Sequence, residues 1–502
     1  MNVRIGRIAV GLLFTLFVTA GYAQDLAERV SEYTLDNGLR IIMVEQDFAP
    51  VVSINLMFDV GGVDEPPGLG GIAHMVEHMA FKGTRTIGSF DVAAELAALE
   101  ELEVAAKALE YAEGADIDDA TLAAFEERFA AARERAQSLA SPNALDNLFS
   151  ANGGVGLNAS TGYDRTDYRI SLPANRLELY ARVYADVMQN TVFRGFYEER
   201  DVVREERRQR SEDSPQGVLF EAFLAEAFRV HPYGVPLIGP PDEIEGYLAT
   251  EAEAIFDLFY HPNRAVLVIV GDVEPERDIE MLERYFGTWP RGPEVRPEIP
   301  EEPAQTAERR VEVTFDAEPQ LLIGYRKPTV PERDAYVMDV VDYVLSNGRT
   351  SRLFDRLVTE EQAALSVSTS SSFPGTRFPN QFVIIAQPQA PTTPAELEAV
   401  IYEELERLAT EPISESELTK AKNQLRANTI RALQSGSSLA SNLAYHELFL
   451  GGWERLIDDL EIYDSVTAED IMAVAERYFV EEGRTVATLM PEESAAQAPE
   501  GE

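Results

Sequence analysis

The sequence predicts an α+β protein of two homologous α/β-roll domains, each a mixed sheet with helices packed on one side. Three observations carry that prediction. At 502 residues the chain exceeds the usual size of one domain, about 100–200 residues. The stretch Trp289–Arg309 holds Pro290, Pro293, Pro297, Pro300 and Pro303 and reads as a stiff, acidic linker. The two flanking parts also repeat one order of elements. Each opens on a strand (Leu39–Val44; Gln320–Tyr325) and closes on a helix followed by a strand, Thr250–Tyr260 with Val266–Val270 and Thr467–Phe479 with Val486–Leu489. The divisions expected are a leader, 1–23, a first domain, 24–288, the linker, 289–309, a second domain, 310–492, and an acidic tail, 493–502.

The leader has the makeup of a secretory signal. Arg4 and Arg7 precede an apolar run, Ile8–Val18, that is too short to span a bilayer, and Gly21-Tyr22-Ala23 supplies a cleavage site. The mature chain is therefore expected to be periplasmic or secreted, with no stable membrane insertion. Loss of the leader removes two arginines and no acids, taking the formal charge from −44 to −46. Such acidity argues strongly against nucleic acid and anionic lipid as partners; it favours solubility first and long-range attraction of basic peptides second. With no cysteine, disulfides and thiolate chemistry are excluded, and His, Asp and Glu remain as metal donors.

The first domain carries the informative motif, His74-Met75-Val76-Glu77-His78. Residues four apart on a helix lie one above the other, so His74 and His78 can reach one ion. Glu77 is close enough to act on a water held there. This is H-x-x-E-H, the inverse of the H-E-x-x-H zinc-protease helix. Neutral imidazoles suit Zn²⁺, and a catalytic zinc takes three protein ligands. Ile72, Met75, Val76 and Met79 form an apolar stripe, Gly70 and Gly71 free the backbone before the helix, and Gly83 ends it.

From Val92 to Leu148 the chain is rich in Ala, Glu and Leu and reads as a helical hairpin, Glu95–Ala112 and Asp119–Ala140, closed by Pro142. No ligand lies there, so a short Gly/Ser loop in place of Glu95–Ala140 is expected to leave metal binding intact. Further on, Glu198–Arg210 reads as a charged helix with a narrow apolar seam at Val202 and Val203. Glu199 and Glu206 are two turns apart and share a face, with Glu205 about 100° away. His231, His261 and His446 lack ligand spacing and read as structural.

Gly61-Gly62-Val63-Asp64-Glu65 with Gly68 to Thr84 around H-x-x-E-H resembles the pitrilysin/insulinase family of inverted zincins, whose fold the mitochondrial processing peptidases share. The resemblance extends through Asn158-Ala159-Ser160-Thr161-Gly162-Tyr163-Asp164-Arg165-Thr166-Asp167-Tyr168, His231-Pro232-Tyr233-Gly234, Tyr260-His261-Pro262-Asn263-Arg264 and, in the second domain, Ser351-Arg352-Leu353-Phe354. It implies a zinc metalloendopeptidase of the exported bacterial branch with a helical insert. One Zn²⁺ per chain would sit on His74, His78 and Glu206, with Glu77 as general base and Glu199 supporting the ligands from behind. Glu205 is the runner-up for the third ligand. The resemblance also implies short or unfolded peptide substrates added as a strand at the edge containing Asn158, the candidate substrate contact. Active relatives bring an arginine and a tyrosine to the cleft from a C-terminal domain. Here the corresponding stretch reads Gln362-Ala363-Ala364-Leu365-Ser366, followed by Gln381-Phe382, with no such pair. A dimer is therefore expected, with a related metal-free chain as the favoured partner and a second copy of this chain as the alternative. Rival readings are a non-catalytic assembly subunit and a peptide-binding carrier on the same fold.

Overall fold

The computed structural model describes residues 26–294 and 296–492; the leader and the acidic tail lie outside the described residues. Two sheets organise the chain. The first holds β1 (Val30–Thr34), β2 (Arg40–Glu45), β3 (Val51–Phe58), β4 (Val155–Thr161), β5 (Thr166–Pro173) and β6 (Ala265–Gly271), in the order β1-β2-β6-β3-β5-β4. The second holds β7 (Arg309–Thr314), β8 (Gln320–Lys327), β9 (Ala364–Phe373), β10 (Asn380–Pro388) and β11 (Arg484–Met490), in the order β7-β11-β8-β10-β9. Without β1 the two orders are the same. In each sheet the last strand in sequence runs parallel to one neighbour and antiparallel to the other: β6 between β2 and β3, β11 between β7 and β8. Every residue of β6 is buried, as a central strand covered on both faces requires.

This topology corrects the pairing of opening strands. Gln320–Tyr325 lies in β8, the counterpart of β3, and the counterpart of β2 is β7. The signal for β7 was hidden because its residues alternate between half-buried and exposed, Arg-Arg-Val-Glu-Val-Thr, at an edge and next to the proline-rich stretch. An edge strand needs apolar residues on one side only, so it carries no hydrophobic run.

Each sheet has helices of its own half on one face and a helix of the other half on its opposite face. Leu439, Ala440, Leu443 and Ala444, on the second-half helix Gly436–Tyr445, pack with Ile42, Val44, Met57 and Val266 of the first sheet. Reciprocally, Leu219 and Phe223 of the first-half helix Pro215–Ala227 pack with Leu322, Val383 and Ala487 of the second. The fit is close: a Cβ on Gly324 would lie 2.3 Å from the Phe223 ring. The linker is likewise pinned to the first half, with Trp289 buried, Arg296 paired to Asp59 at 2.6 Å and Glu302 accepting from the amides of Val230 and His231. The halves are thus interlocked, and a cavity beside His74 of the motif helix is lined by residues of both.

Candidate metal centre

The helix Ile72–Met79 is positioned from its first turn. Gly71 has a φ of 89°, and a Cβ there would lie 2.4 Å from the Ile238 carbonyl oxygen, so glycine is required. The orphan amides of the helix start are taken by carboxylates: Glu65 accepts from Gly71 and Ala73, both at 2.8 Å, and Glu243 accepts from Gly70. Burial pushes the Glu65 carboxyl up to about 8, while the two amide bonds pull the other way. Ile72, Met75, Val76 and Met79 are buried in the core, which leaves His74 and His78 on the opposite side.

Among the described residues, His74, His78 and Glu206 are brought together with one ligand atom each, all within 4.8 Å of one another. The two Nε2 atoms are 3.2 Å apart, and Glu206 places its carboxylate oxygens 3.9 Å from that of His74 and 3.7 Å from that of His78. Tetrahedral ligands bonded at about 2.0–2.2 Å lie roughly 3.3–3.5 Å from one another. The separations are close to that, and two imidazoles with one carboxylate form a donor set zinc accepts, so the residues fit the ion.

The electrostatics leave one imidazole neutral and surround the other with carboxylates. Burial, helped by positive charge on His78 and Arg210, lowers His74 to about 3 and keeps its ring neutral with a free lone pair. Burial alone would lower His78 too, but the bond to Glu199 and the negative charges of Glu77 and Glu206 leave it raised. Burial also raises Glu77, against the Thr161 hydroxyl, which donates to its Oε2 at 2.5 Å. Glu199 accepts from Nδ1 of His78 at 2.8 Å and pairs with Lys82, fixing the His78 ring from behind. No such partner bonds Nδ1 of His74.

Glu199 and Glu206 come from the helix Phe196–Arg207, where Val203 is buried between them. Val202 is half exposed, so the apolar seam is Val203 alone; neighbours in sequence differ by about 100° around a helix. Glu205 faces solvent and pairs with Arg208 at 2.7 Å, away from the imidazoles. Arg210 reaches back to Glu206 at 2.6 Å. Asn158 is exposed on β4, the outer strand of its sheet. His231 accepts from the Tyr233 amide, while His261 and His446 bond to the Asp257 and Asn442 carbonyls. Sequence reasoning passed over Thr161, Lys82, Arg210 and Glu65. Thr161, Glu65 and Lys82 each lie inside a stretch that carries the family resemblance, and Arg210 ends the charged helix, but nothing in those stretches marks them out.

The hairpin, Val92–Glu113 and Asp119–Gln137, carries no ligand, as expected, but it is tied to the glutamate helix and the segment before it. The two oxygens of buried Glu95 accept from Nε and Nη2 of buried Arg194, Glu103 accepts from Tyr197, and Arg133 bridges Glu198 and Asp201 on the glutamate helix. Removing one partner of a buried ion pair costs about 3–5 kcal/mol. A segment without ligands can thus still brace the elements that carry them.

A sequence model described as "Insulinase (Peptidase family M16)" matches residues 40–107 and 122–241, and one described as "Peptidase M16 inactive domain" matches residues 249–425. The chain belongs to this family of peptidases. It is 27% identical over 492 residues to the zinc protease PqqE of Helicobacter pylori, covering 96% of this chain and 98% of that protein. The crystal structure of a protease from Helicobacter pylori superposes with a TM-score of 0.77 at 25% identity, over 92% of this chain and 99% of that one. The periplasmic protease PqqL of Escherichia coli shares the fold at a TM-score of 0.68 and 17% identity, over 94% of this chain but 48% of the other. No helix among the described residues is long and apolar enough to cross a membrane.

The interruption in the first match, residues 108–121, falls at the tip of the hairpin, beyond Glu95, Glu103 and Arg133. Trimming that tip to a Gly/Ser turn should therefore leave zinc content unchanged, since loop closure costs little. Replacing the whole of Glu95–Ala140 should lower the melting temperature and the metal content together. Thermal unfolding and metal analysis of the two variants check this.

Proposed function

We propose that the chain is a zinc-dependent endopeptidase acting on short or unfolded peptides. The observation that carries the reading is the convergence of His74, His78 and Glu206 beside Glu77, whose carboxylate is oriented by Thr161. One zinc per chain, held by those three ligands, would supply a Lewis acid that polarises the scissile carbonyl and makes a water molecule acidic. Glu77 takes the proton of the attacking water and delivers it to the leaving amine. Its burial keeps the carboxylate poised to take that proton. Glu199 holds the His78 ring, and Arg210 holds Glu206. The outer edge of β4, with Asn158, offers main-chain hydrogen bonds to an extended peptide. The name of the Helicobacter pylori relative supports the activity. The test is zinc content measured beside cleavage of a peptide mixture, with and without a chelator. Zinc binding without cleavage would leave a carrier or assembly subunit.

The leader sequence supports export to the periplasm or medium, and this chain matches only about half of the PqqL chain. The half-length match fits a chain that works in a dimer, with a related metal-free chain supplying the arginine and tyrosine. The cavity beside His74 is lined from the second half by Phe373 and Pro374, with no arginine or tyrosine of that half among its described lining. The purified chain should bind zinc yet cleave slowly, and activity should rise when the metal-free relative is co-expressed. Full turnover by the chain alone, unchanged by any such partner, would leave the homodimer.

A further inference from the structure

A second cavity, of about 810 Å³, lies at the start of the motif helix and shares no lining residue with the one beside His74. Its walls come from the loop 62–70 that leads into that helix, the segment 228–235, the helix Ala249–Phe259 and the linker at 297–300. The linker is held on either side of its wall, by Arg296 on Asp59 and by Glu302 on the amides of Val230 and His231. Fixed elements therefore bound the space. Phe228, Ile255, Leu258 and Ile299 line it, and Val230 and Val235, at 50% and 39% exposure, leave apolar surface uncovered there. A guest with an apolar body gains by covering that surface.

The polar groups of the lining are unbalanced. Glu65 and Glu243 accept only from the backbone amides at the start of the motif helix, and neither has a cationic partner among the described residues. The other charges in the wall are matched: Asp64 faces the guanidinium groups of Arg377 and Arg264, and Arg229 is paired with Glu226. Two carboxylates without counter-charge beside apolar walls gain most from a cation.

His231, 5% exposed, supplies a third group in the lining. Burial lowers it to about 4, so the ring is neutral. Its Nδ1 accepts from the Tyr233 amide at 3.1 Å, which leaves the proton on Nε2, and Nε2 is buried with no partner. A buried N–H without an acceptor is costly, and an oxygen on a guest would relieve it.

We propose that this cavity binds a small organic cation, with a protonated amine seated on Glu65 and Glu243, an oxygen acceptor for His231, and an apolar body along Phe228, Leu258 and the linker. The inference stands apart from the peptidase reading, because none of the three metal ligands lines the cavity.

The probe is homophenylalaninol, which carries an ammonium, a hydroxyl and a phenyl group, titrated calorimetrically into the zinc-loaded full chain. It should bind once per chain. Phenylbutanol lacks the ammonium, ethanolamine lacks the apolar body and phenylbutyrate reverses the charge, so each should bind at least about tenfold more weakly. Glu243→Gln keeps an oxygen for the Gly70 amide and removes the charge. It should cost homophenylalaninol about tenfold and change phenylbutanol by less than about twofold. If that variant does not fold, Val230→Trp, at a half-exposed position of the lining, should weaken every probe that carries a phenyl group. His74→Ala protein should bind homophenylalaninol as wild type does, which separates the cavity from ligation of the amine to zinc. No binding of homophenylalaninol, equal or tighter binding of phenylbutyrate, indifference to both Glu243→Gln and Val230→Trp, or loss of binding in His74→Ala would each overturn the proposal.

Discussion

Glu77→Gln protein should keep its zinc and lose peptide cleavage by about 10²–10⁴-fold, the range in which a positioned general base contributes. The substitution keeps the shape of the side chain, and the amide oxygen can still accept from the Thr161 hydroxyl that now donates to Glu77. What it removes is the capacity to take up a proton. Glu77 is not among the three residues whose ligand atoms converge, so metal content should not follow activity down. Its place in the core, 8% exposed beside Met75, Val76 and Met79, argues that an isosteric change is tolerated where Glu77→Ala would leave a cavity. Metal analysis and cleavage rates on the same preparations check both parts. If more than about a tenth of the rate survives, where loss of a base predicts far less, the proton goes elsewhere. If zinc is lost as well, Glu77 supports the ligands rather than the chemistry.

The readability of the sequence varied with the range of the interaction. His74, Glu77 and His78 lie on one short helix, and helical periodicity alone places both imidazoles on one side. Glu206 was favoured over Glu205 by a spacing of seven from Glu199 together with a family resemblance, with Glu205 left as runner-up, and the structure places Glu206 and not Glu205 beside the imidazoles. The supports were not legible. Glu65, Lys82 and Arg210 are common surface residue types, and nothing local says that a carboxylate six residues before Gly71 takes its amide. The fold followed the same division. β6 announces itself as an unbroken apolar run, while β7 hides because an edge strand buries only alternate residues. The exchange of helices between the sheets left no mark either: Phe223 and Gly324 are about a hundred positions apart, and their fit is a property of the packed pair.

Removing one ligand at a time should empty the metal centre and rank the residues around it. His74→Ala, His78→Ala and Glu206→Ala each take one of three protein donors from an ion that needs three, so none should purify with stoichiometric zinc. Glu199→Ala removes the bond that orients His78 and leaves all three donors, so affinity should fall by only about 10–100-fold, the usual cost of losing a partner behind a ligand. Glu199 also places negative charge beside the centre, partly offset by its pairing with Lys82, so its removal weakens the attraction for a cation as well. Glu205→Ala should change nothing, because its carboxylate is spent on Arg208 and Gln209 at the surface. Arg210→Ala separates position from charge. Losing the 2.6 Å pairing frees the Glu206 carboxylate, and losing the positive charge makes the centre more attractive to a cation. If charge dominates, zinc should bind at least as tightly as in wild type; if the pairing is what aims Glu206, affinity should fall toward that of Glu199→Ala. Competition with a chelator of known affinity orders all six variants on one scale. Full zinc retention by Glu206→Ala alongside loss in Glu205→Ala would reverse the assignment of the third ligand.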